Sequence, residues 1–438
     1  MSNLQQMECR APRFRALIPF FVFVVFYLGL SIWAHDFYKV PMPTAFLVAS
    51  AAALMLDHKR PLSEKVDVYA RGMGEPNIMI MCLIFILAGA FAATAKGMGA
   101  VDGAVAIARA VVPDSLMLLG MFLVASFISL AVGTSCGTIA ALTPIAVGLS
   151  GGLSISPALL LGAIIGGAMF GDNLSMISDT TIAATRTQNI AMRDKFRQNI
   201  LLVLPAVAIT SVIYLFCGGS AQPDETAQAV TWANAFAVLP YLLILVFALL
   251  GWNVMLLLFA GTVMAGITGI INGAFDFWGM LDLIGKGTLG MSETLIVAIL
   301  AGGLLQTIRR NGGIGYLMEK IKKPVRTARG CEFGVLVLVA VINLFTANNT
   351  VAIVIAGPIA RELSEQYHCS AKRIASILDT GSCVVQGMIP YGAQILIAAG
   401  VAQTSNLDVS SLSLVGSLFY PMLLGVCLIA AIAIHREK

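Results

Sequence analysis

The chain has 438 residues, 58% of them hydrophobic and 11% charged, against about 25% charged for a soluble domain. That balance excludes a water-soluble globular enzyme and describes a polytopic membrane protein. The net charge of +4 is small and lies between the apolar runs, so it speaks to membrane orientation and not to a nucleic-acid partner.

In chain order, residues 17–33 form a first span, long enough for about 30 Å of hydrocarbon. Arg10, Arg13 and Arg15 precede it as in a signal peptide, but the apolar core is longer than usual and further spans follow. Pro41 and Pro43 open a second span at 44–56, and a mixed-charge loop covers 57–75. Residues 78–95 form the third. The stretch 101–112, with Asp102 and Arg109, suits a tilted or interfacial helix. Residues 116–130 lead into the polar Gly-Thr-Ser-Cys-Gly-Thr of 133–138, and 139–149 lead out. Residues 157–185 enclose a second polar stretch. Plain apolar spans follow at 200–216, 233–250, 254–271 and 294–307, then a basic segment containing Gly312, Gly313, Gly315 and Pro324. Residues 333–345 lead into Thr-Ala-Asn-Asn-Thr of 346–350, and 351–360 lead out. Residues 374–402 are interrupted near 379–382 and again at 390–392, and 412–434 close the chain. The eight cysteines are scattered without CxxC spacing and HExxH is absent, so a disulfide framework, a structural metal and a cofactor are not expected.

Charge orients these spans. Arg10, Arg13 and Arg15, then Lys59 to Arg71, then Arg186, Arg193, Lys195 and Arg197, then seven bases between Arg309 and Arg329, and finally the tail from His435 form basic clusters. All fall on the cytoplasmic side only if 116–149 and 333–360 each leave and return on one side, as re-entrant hairpins do. Both termini are then cytoplasmic.

Short matches recur at about 212 residues: Ile-Leu-Ala-Gly at 86–89 and 299–302, Thr134 with Thr346, Thr138 with Thr350, and Ala163 with Ala375. Flanking charges change sign between the halves, as opposite orientation requires. Inverted repeats with broken helices characterise secondary transporters, whose sites lie at the repeat interface near the midplane. The expected fold is therefore all-α, with discontinuous helices and a scaffold plus transport domain. Its parts are N-terminal spans at 1–77, a first repeat at 78–197, central spans at 198–292, a second repeat at 293–402 and a C-terminal span at 403–438.

The polar breaks carry the chemistry. Between Asp172 and Thr181 lie two carboxylates, an amide and four hydroxyls at a depth where an ionised carboxylate costs roughly 2.5–3.5 kcal/mol. Oxygen-rich backbone at that depth must be buried in protein or line a wet cavity. The cation and proton candidates are Asp172, Asn173, Ser175, Ser178, Asp179, Thr180 and Asp379. Thr134, Ser135, Thr138, Thr346, Asn348, Asn349, Thr350, Ser382, Gln386, Tyr391 and Gln394 are candidates for the cavity wall. Oxygen ligands suit Na⁺, and a buried carboxylate can exchange a proton near neutrality. The structural alternatives are a helix cap for Asp172, back-bonding to the preceding turn for Thr134, Ser135 and Thr138, and interhelical bonding for Asn348 and Asn349.

The run Phe-Gly-Asp-Asn-Leu-Ser-Met-Ile-Ser-Asp-Thr-Thr at 170–181 resembles the signature of the NhaC family of sodium/proton antiporters. There, Gly-Asp precedes a Ser-Pro-x-Ser-Asp-Thr-Thr-like run. Met176 stands where that family often has Pro, which softens the break or moves it toward Gly171. The resemblance covers about 78–402 and implies an inner-membrane secondary transporter exchanging Na⁺ for H⁺. It also implies Na⁺ at Asp172, Ser175 and Asp179, and a homodimer whose transport domain moves elevator-fashion. The family includes carriers of organic acids and amino acids, so a cation-coupled carboxylate or amino-acid cargo remains an alternative. The surplus amides and hydroxyls at 346–350 and 386–394 motivate it. An intramembrane aspartyl protease is a remote third reading, which leaves the repeat without a purpose.

Overall fold

The computed structural model describes residues 11–34, 40–56, 60–100, 103, 112–152, 155–176, 178–218, 239, 240, 243, 247, 252–322, 325–405, 407 and 409–434. Among them, every regular element is a helix. Hydrocarbon offers a backbone no partners, so each apolar run must close its own hydrogen bonds. Seven helices among the described residues are long and apolar enough to cross a membrane. The expected segments at 101–112 and 233–250 fall largely outside the described residues.

A short 3₁₀ turn, Phe14–Leu17, precedes α1 (Ile18–Trp33), α2 (Met42–Met55), α3 (Leu62–Met73) and α4 (Pro76–Gly97). Then come α5 (Asp114–Val132), α6 (Ser135–Gly152), α7 (Pro157–Leu174) and α8 (Asp179–Gln188). After α9 (Met192–Cys217), α10 (Val254–Ile271), α11 (Phe277–Gly290), α12 (Ser292–Arg310) and α13 (Gly313–Lys322), a second set follows. It comprises α14 (Ala328–Thr346), α15 (Asn349–Gln366), α16 (Ala371–Met388) and α17 (Ala393–Thr404). The short α18 (Ser411–Val415) and α19 (Phe419–Ile434) end the chain.

The two sets of four helices keep one spacing. Asp114 and Ala328, Ser135 and Asn349, Pro157 and Ala371, and Asp179 and Ala393 open matching helices, each pair 214 residues apart. Pro144 and Pro358, both inside helices, keep the same spacing. So do Gly133 and Ala347, both left-handed at φ 77° and 47° where one hairpin arm ends and the other begins. The offset is thus two residues longer than the short motifs suggest, because small apolar triplets align almost as well out of register. Thr134 therefore corresponds to Asn348, Ser135 to Asn349, and Asp172 to Gln386.

Within each set the first hairpin arm packs on the first half of the broken helix, α5 on α7 and α14 on α16. Across the sets the packing is crossed, with α6 against α17 and α15 against α8. Gly171 makes the α5–α7 approach possible, since a Cβ there would lie 2.6 Å from the Ser126 carbonyl oxygen. The helices α2 and α3 pack on α12, and α4 on α10 and α11; α4 also packs against α6 and α17 of the crossed unit.

Four expectations need correction. The mixed-charge loop at 57–75 contains α3, whose Val68, Tyr69 and Gly72 are buried, so its charges occupy the other side of an amphipathic helix. The basic segment after Gly312 likewise forms α13. Residues 277–290 form α11, for which no span was expected. Finally, α16 runs unbroken through Asp379–Ser382; the polar side chains there find partners and the backbone has no need to unwind.

The packing of α9 is inside-out relative to a soluble helix. Its buried face is Lys195, Asn199, Val203, Ala206, Thr210 and Tyr214, while Leu201, Leu204, Val212 and Phe216 are exposed. An apolar outer face on this scale marks contact with lipid or partner protein.

Candidate functional site

The break in the first set lies at 175–178, between α7 and α8, and not at Gly171. Replacement of the family's Pro by Met176 therefore leaves the helix interrupted. Asp172 is in the last turn of α7 and Asp179 in the first turn of α8, so the two carboxylates belong to different helices and not to one face of a single helix.

Asp172 is 5% exposed and both its oxygens are engaged. Ser135 Oγ, at the start of α6, donates to Oδ2 at 2.8 Å. Ser178 Oγ donates to Oδ1 at 2.5 Å. The carboxylate thus ties the hairpin tip to the far side of the break. Ser178 also caps α8, accepting from the Thr180 amide at 3.3 Å and lying 2.9 Å from the Thr180 hydroxyl. A polar chain continues into the second set: Gln394 Nε2 donates to Ser135 Oγ at 3.0 Å. Gln386 Nε2 donates to Gln394 Oε1 at 2.8 Å and to the Ala347 carbonyl at 3.0 Å.

These groups wall a cavity of about 150 Å³. Four helices, α6, α8, α15 and α17, begin at its wall, and Met81 and Ile84 of α4 close another side. Of the predicted residues, Asp172, Ser178, Asp179, Thr180, Thr134, Ser135, Asn348, Asn349, Thr350, Gln386 and Gln394 line it. Asp179 is exposed, so it faces the cavity as a wetted charge. Asn348 acts partly as a cap, its Oδ1 accepting from the Val351 amide at 3.0 Å. Asn349 Oδ1 accepts from the Thr350 amide, while its Nδ2, like Oε1 of Gln386, finds no partner among the described residues. Both side chains are more than nine-tenths buried.

The other predicted residues lie outside that wall. Thr138 bonds back to the carbonyl of Thr134, just before its helix, and Ser382 to that of Asp379 in its own helix. Thr346 closes the hairpin turn on the Asn348 carbonyl. Tyr391 donates to the Leu344 carbonyl at 2.6 Å and meets the rings of Phe23 and Phe46. Ser175 is buried, its carbonyl accepting from Thr181 Oγ1 at 2.6 Å.

Asn173 and Asp379 form a second, deeper cluster. Asn173 Nδ2 donates to Asp379 Oδ2 at 2.9 Å and Asn199 Nδ2 to the same oxygen at 3.0 Å. Lys195 Nζ lies 2.5 Å from it, with Lys195 and Asp379 1% and 0% exposed. In the sequence Lys195 reads as one of a cytoplasmic loop cluster and Asn199 and Ser376 carry no expected site role, while Thr181 and Thr380 fall inside polar breaks without being named as ligands. Ser376 Oγ bonds to Asn199 Oδ1 at 2.5 Å, and Thr380 Oγ1 accepts from Asn173 at 3.3 Å. The signal was present: Lys195, Asn199, Val203 and Ala206 share the helical spacing of a buried stripe.

An apolar helical bundle interrupted at paired positions, with a carboxylate at the wall of the resulting cavity, defines a membrane transport protein. The Na⁺/H⁺ antiporter family model matches residues 13–219 and 225–434, and the chain belongs to that family of membrane antiporters. It is 22% identical over 422 residues to the malate-2H⁺/Na⁺-lactate antiporter of Bacillus subtilis, covering 90% of this chain and 89% of that protein. It is 27% identical over 386 residues to the Na⁺/H⁺ antiporter NhaC of the same organism, with coverage of 81% and 84%. To the arginine/ornithine antiporter ArcD of Halobacterium salinarum it is 26% identical over 320 residues, with coverage of 65% and 64%.

Proposed function

We propose that the protein exchanges Na⁺ for H⁺ across a bacterial inner membrane, with the two ions competing for Asp172. The observation that carries this is the buried Asp172 carboxylate at the cavity wall, bridged by Ser135 and Ser178. A proton and a cation both neutralise the carboxylate and both occupy its oxygens. Either loaded form avoids carrying a bare charge through hydrocarbon, whereas the empty ionised form does not. The obligation to carry one ion or the other makes the cycle an exchange. Each serine hydroxyl has a donor and two acceptor lone pairs, so it can donate to the empty carboxylate and turn its oxygen toward Na⁺ when the cation binds. Asp179, exposed on the same wall, raises the local concentration of cations.

The same reading takes the two helix sets as inverted repeats with re-entrant hairpins. The crossed unit moves elevator-fashion against the remaining helices of a homodimer, with both termini cytoplasmic. The common 214-residue spacing and the basic clusters support it. The test is dequenching of a pH-sensitive dye in proteoliposomes on adding Na⁺ or K⁺. Wild type should respond to Na⁺ and Asp172→Asn should insert but stay silent. Full activity in the variant would sink the proposal.

A carboxylate cargo coupled to the cation is the second reading. Asn349 Nδ2 and Gln386 Oε1 at the cavity wall lack partners among the described residues, four helix N-termini there favour an anion, and one relative is named for malate and lactate. Thermal stabilisation by a small carboxylate together with Na⁺, beyond Na⁺ alone, would support it. Stabilisation by Na⁺ or Li⁺ alone favours the simple antiporter.

A further inference from the structure

Behind the cavity, the ammonium of Lys195 sits in a shell of oxygens drawn from three helices. It lies 2.5 Å from Asp379 Oδ2 on α16, 2.6 Å from the Asn173 carbonyl on α7 and 2.6 Å from Thr181 Oγ1 on α8. Three acceptors match the three N–H donors of an ammonium. The Asn173 carbonyl belongs to the last turn of α7, where carbonyls have no helical partner and the dipole favours positive charge. Thr181 Oγ1 spends its own hydrogen on the Ser175 carbonyl at 2.6 Å, which leaves lone pairs for a cation. Asp379 Oδ1 finds no hydrogen-bond partner among the described residues although the residue is fully buried. The group is a carboxylate, a carbonyl and an orienting hydroxyl, hard oxygen donors of the kind that hold small cations; the Asn173 carbonyl also accepts from Asn199 Nδ2 at 3.1 Å.

We infer that the Asp379 cluster is a second cation site, filled by the tethered ammonium of Lys195. The chain then carries its own fixed cation at Asp379, and Asp172 is left as the carboxylate that trades ions. This consequence for transport rests on the antiporter reading above; the occupancy of the Asp379 site does not. The arrangement also links the two sides of the first break to the second set, since Asn173, Thr181 and Asp379 converge on one nitrogen.

The inference predicts that removing the tether opens the site to a free cation. Asp172→Asn is used as the background, so that ions bound at the cavity do not contribute. The full chain is purified in detergent and its unfolding followed in NaCl, methylammonium chloride or choline chloride of equal concentration. Asp172→Asn alone should unfold at the same temperature in all three. Asp172→Asn/Lys195→Ala should unfold roughly 3 °C or more higher in Na⁺ or methylammonium than in choline. Adding Asp379→Asn should erase that difference. The inference is overturned if Lys195→Ala confers no preference for small cations, or if the preference survives Asp379→Asn. It is equally overturned if the Lys195→Ala protein cannot be recovered in any of these salts while the version with Asp379→Asn can.

Discussion

Asp172 and Asp379 are both buried carboxylates on the first half of a broken helix, yet their surroundings differ in kind. Asp172 meets two hydroxyls at the wall of a cavity. Asp379 meets an ammonium and two amides and is not among the residues that line that cavity. The first is held by groups that can turn away from it; the second is neutralised by a charge attached to the chain. Depth alone therefore does not identify an exchange site. The identity of the compensating group decides whether a buried carboxylate can trade ions or stays paired.

The largest effect that would break this contrast is on stability. Asp379→Asn leaves the Lys195 ammonium buried without its counter-charge, and removal of one partner of a buried pair costs about 3–5 kcal/mol. Thermal unfolding in detergent should register that loss; a variant as stable as wild type would show that Lys195 does not need Asp379. Next come the two serines. Ser135→Ala and Ser178→Ala each remove a charge-assisted hydrogen bond worth about 1.5–3 kcal/mol. We expect the Na⁺ concentration for half-maximal exchange to change by roughly 10-fold or more in each, read by titrating Na⁺ against dye dequenching. An unchanged half-saturation in both would remove the serines from the site. Asp179→Asn should cost less, a few-fold in apparent Na⁺ affinity, because an exposed charge contributes on the order of 1 kcal/mol or less. A loss as complete as that of Asp172→Asn would instead make the two aspartates one joint site.

The smallest effect concerns the hairpin tips. Gly133 holds its left-handed conformation freely, while Ala347 holds the equivalent one at φ 47° with a Cβ. Ala347→Gly should relieve that strain and stabilise the protein by up to about 1 kcal/mol, seen as a slightly higher unfolding temperature. Destabilisation would mean that the Ala347 methyl group packs in a way its backbone strain does not outweigh.

Much of this contrast was legible in the sequence. A carboxylate after Gly171 in an oily run has to be satisfied, and Asp172, Ser135 and Ser178 all stand out as polar groups in apolar surroundings. Lys195 was not, because a lysine flanked by Arg193 and Arg197 reads as one more loop base; only its position at the head of the stripe Lys195, Asn199, Val203 marks it as buried. Asp379 and Ser382 suggested an unwound backbone because polar residues at depth need partners. Those partners are Lys195, Asn173 and Asn199 from elsewhere in the chain for Asp379, and a carbonyl of its own helix for Ser382. The repeat register was off by two because Ala, Ile and Ser recur too often in apolar helices to fix an alignment, whereas Pro144 and Pro358 are each the single proline inside their helix. The helices α3 and α13 escaped notice because their charges conceal a narrow apolar face.

The central claim is that Na⁺ and H⁺ compete for the carboxylate of Asp172. Its most direct test is the count of protons released when Na⁺ is added to purified protein in weakly buffered detergent solution near neutral pH. The account predicts proton release that rises with Na⁺ binding in wild type and disappears in Asp172→Asn. Na⁺ binding without proton release, or release that persists unchanged in Asp172→Asn, would contradict it.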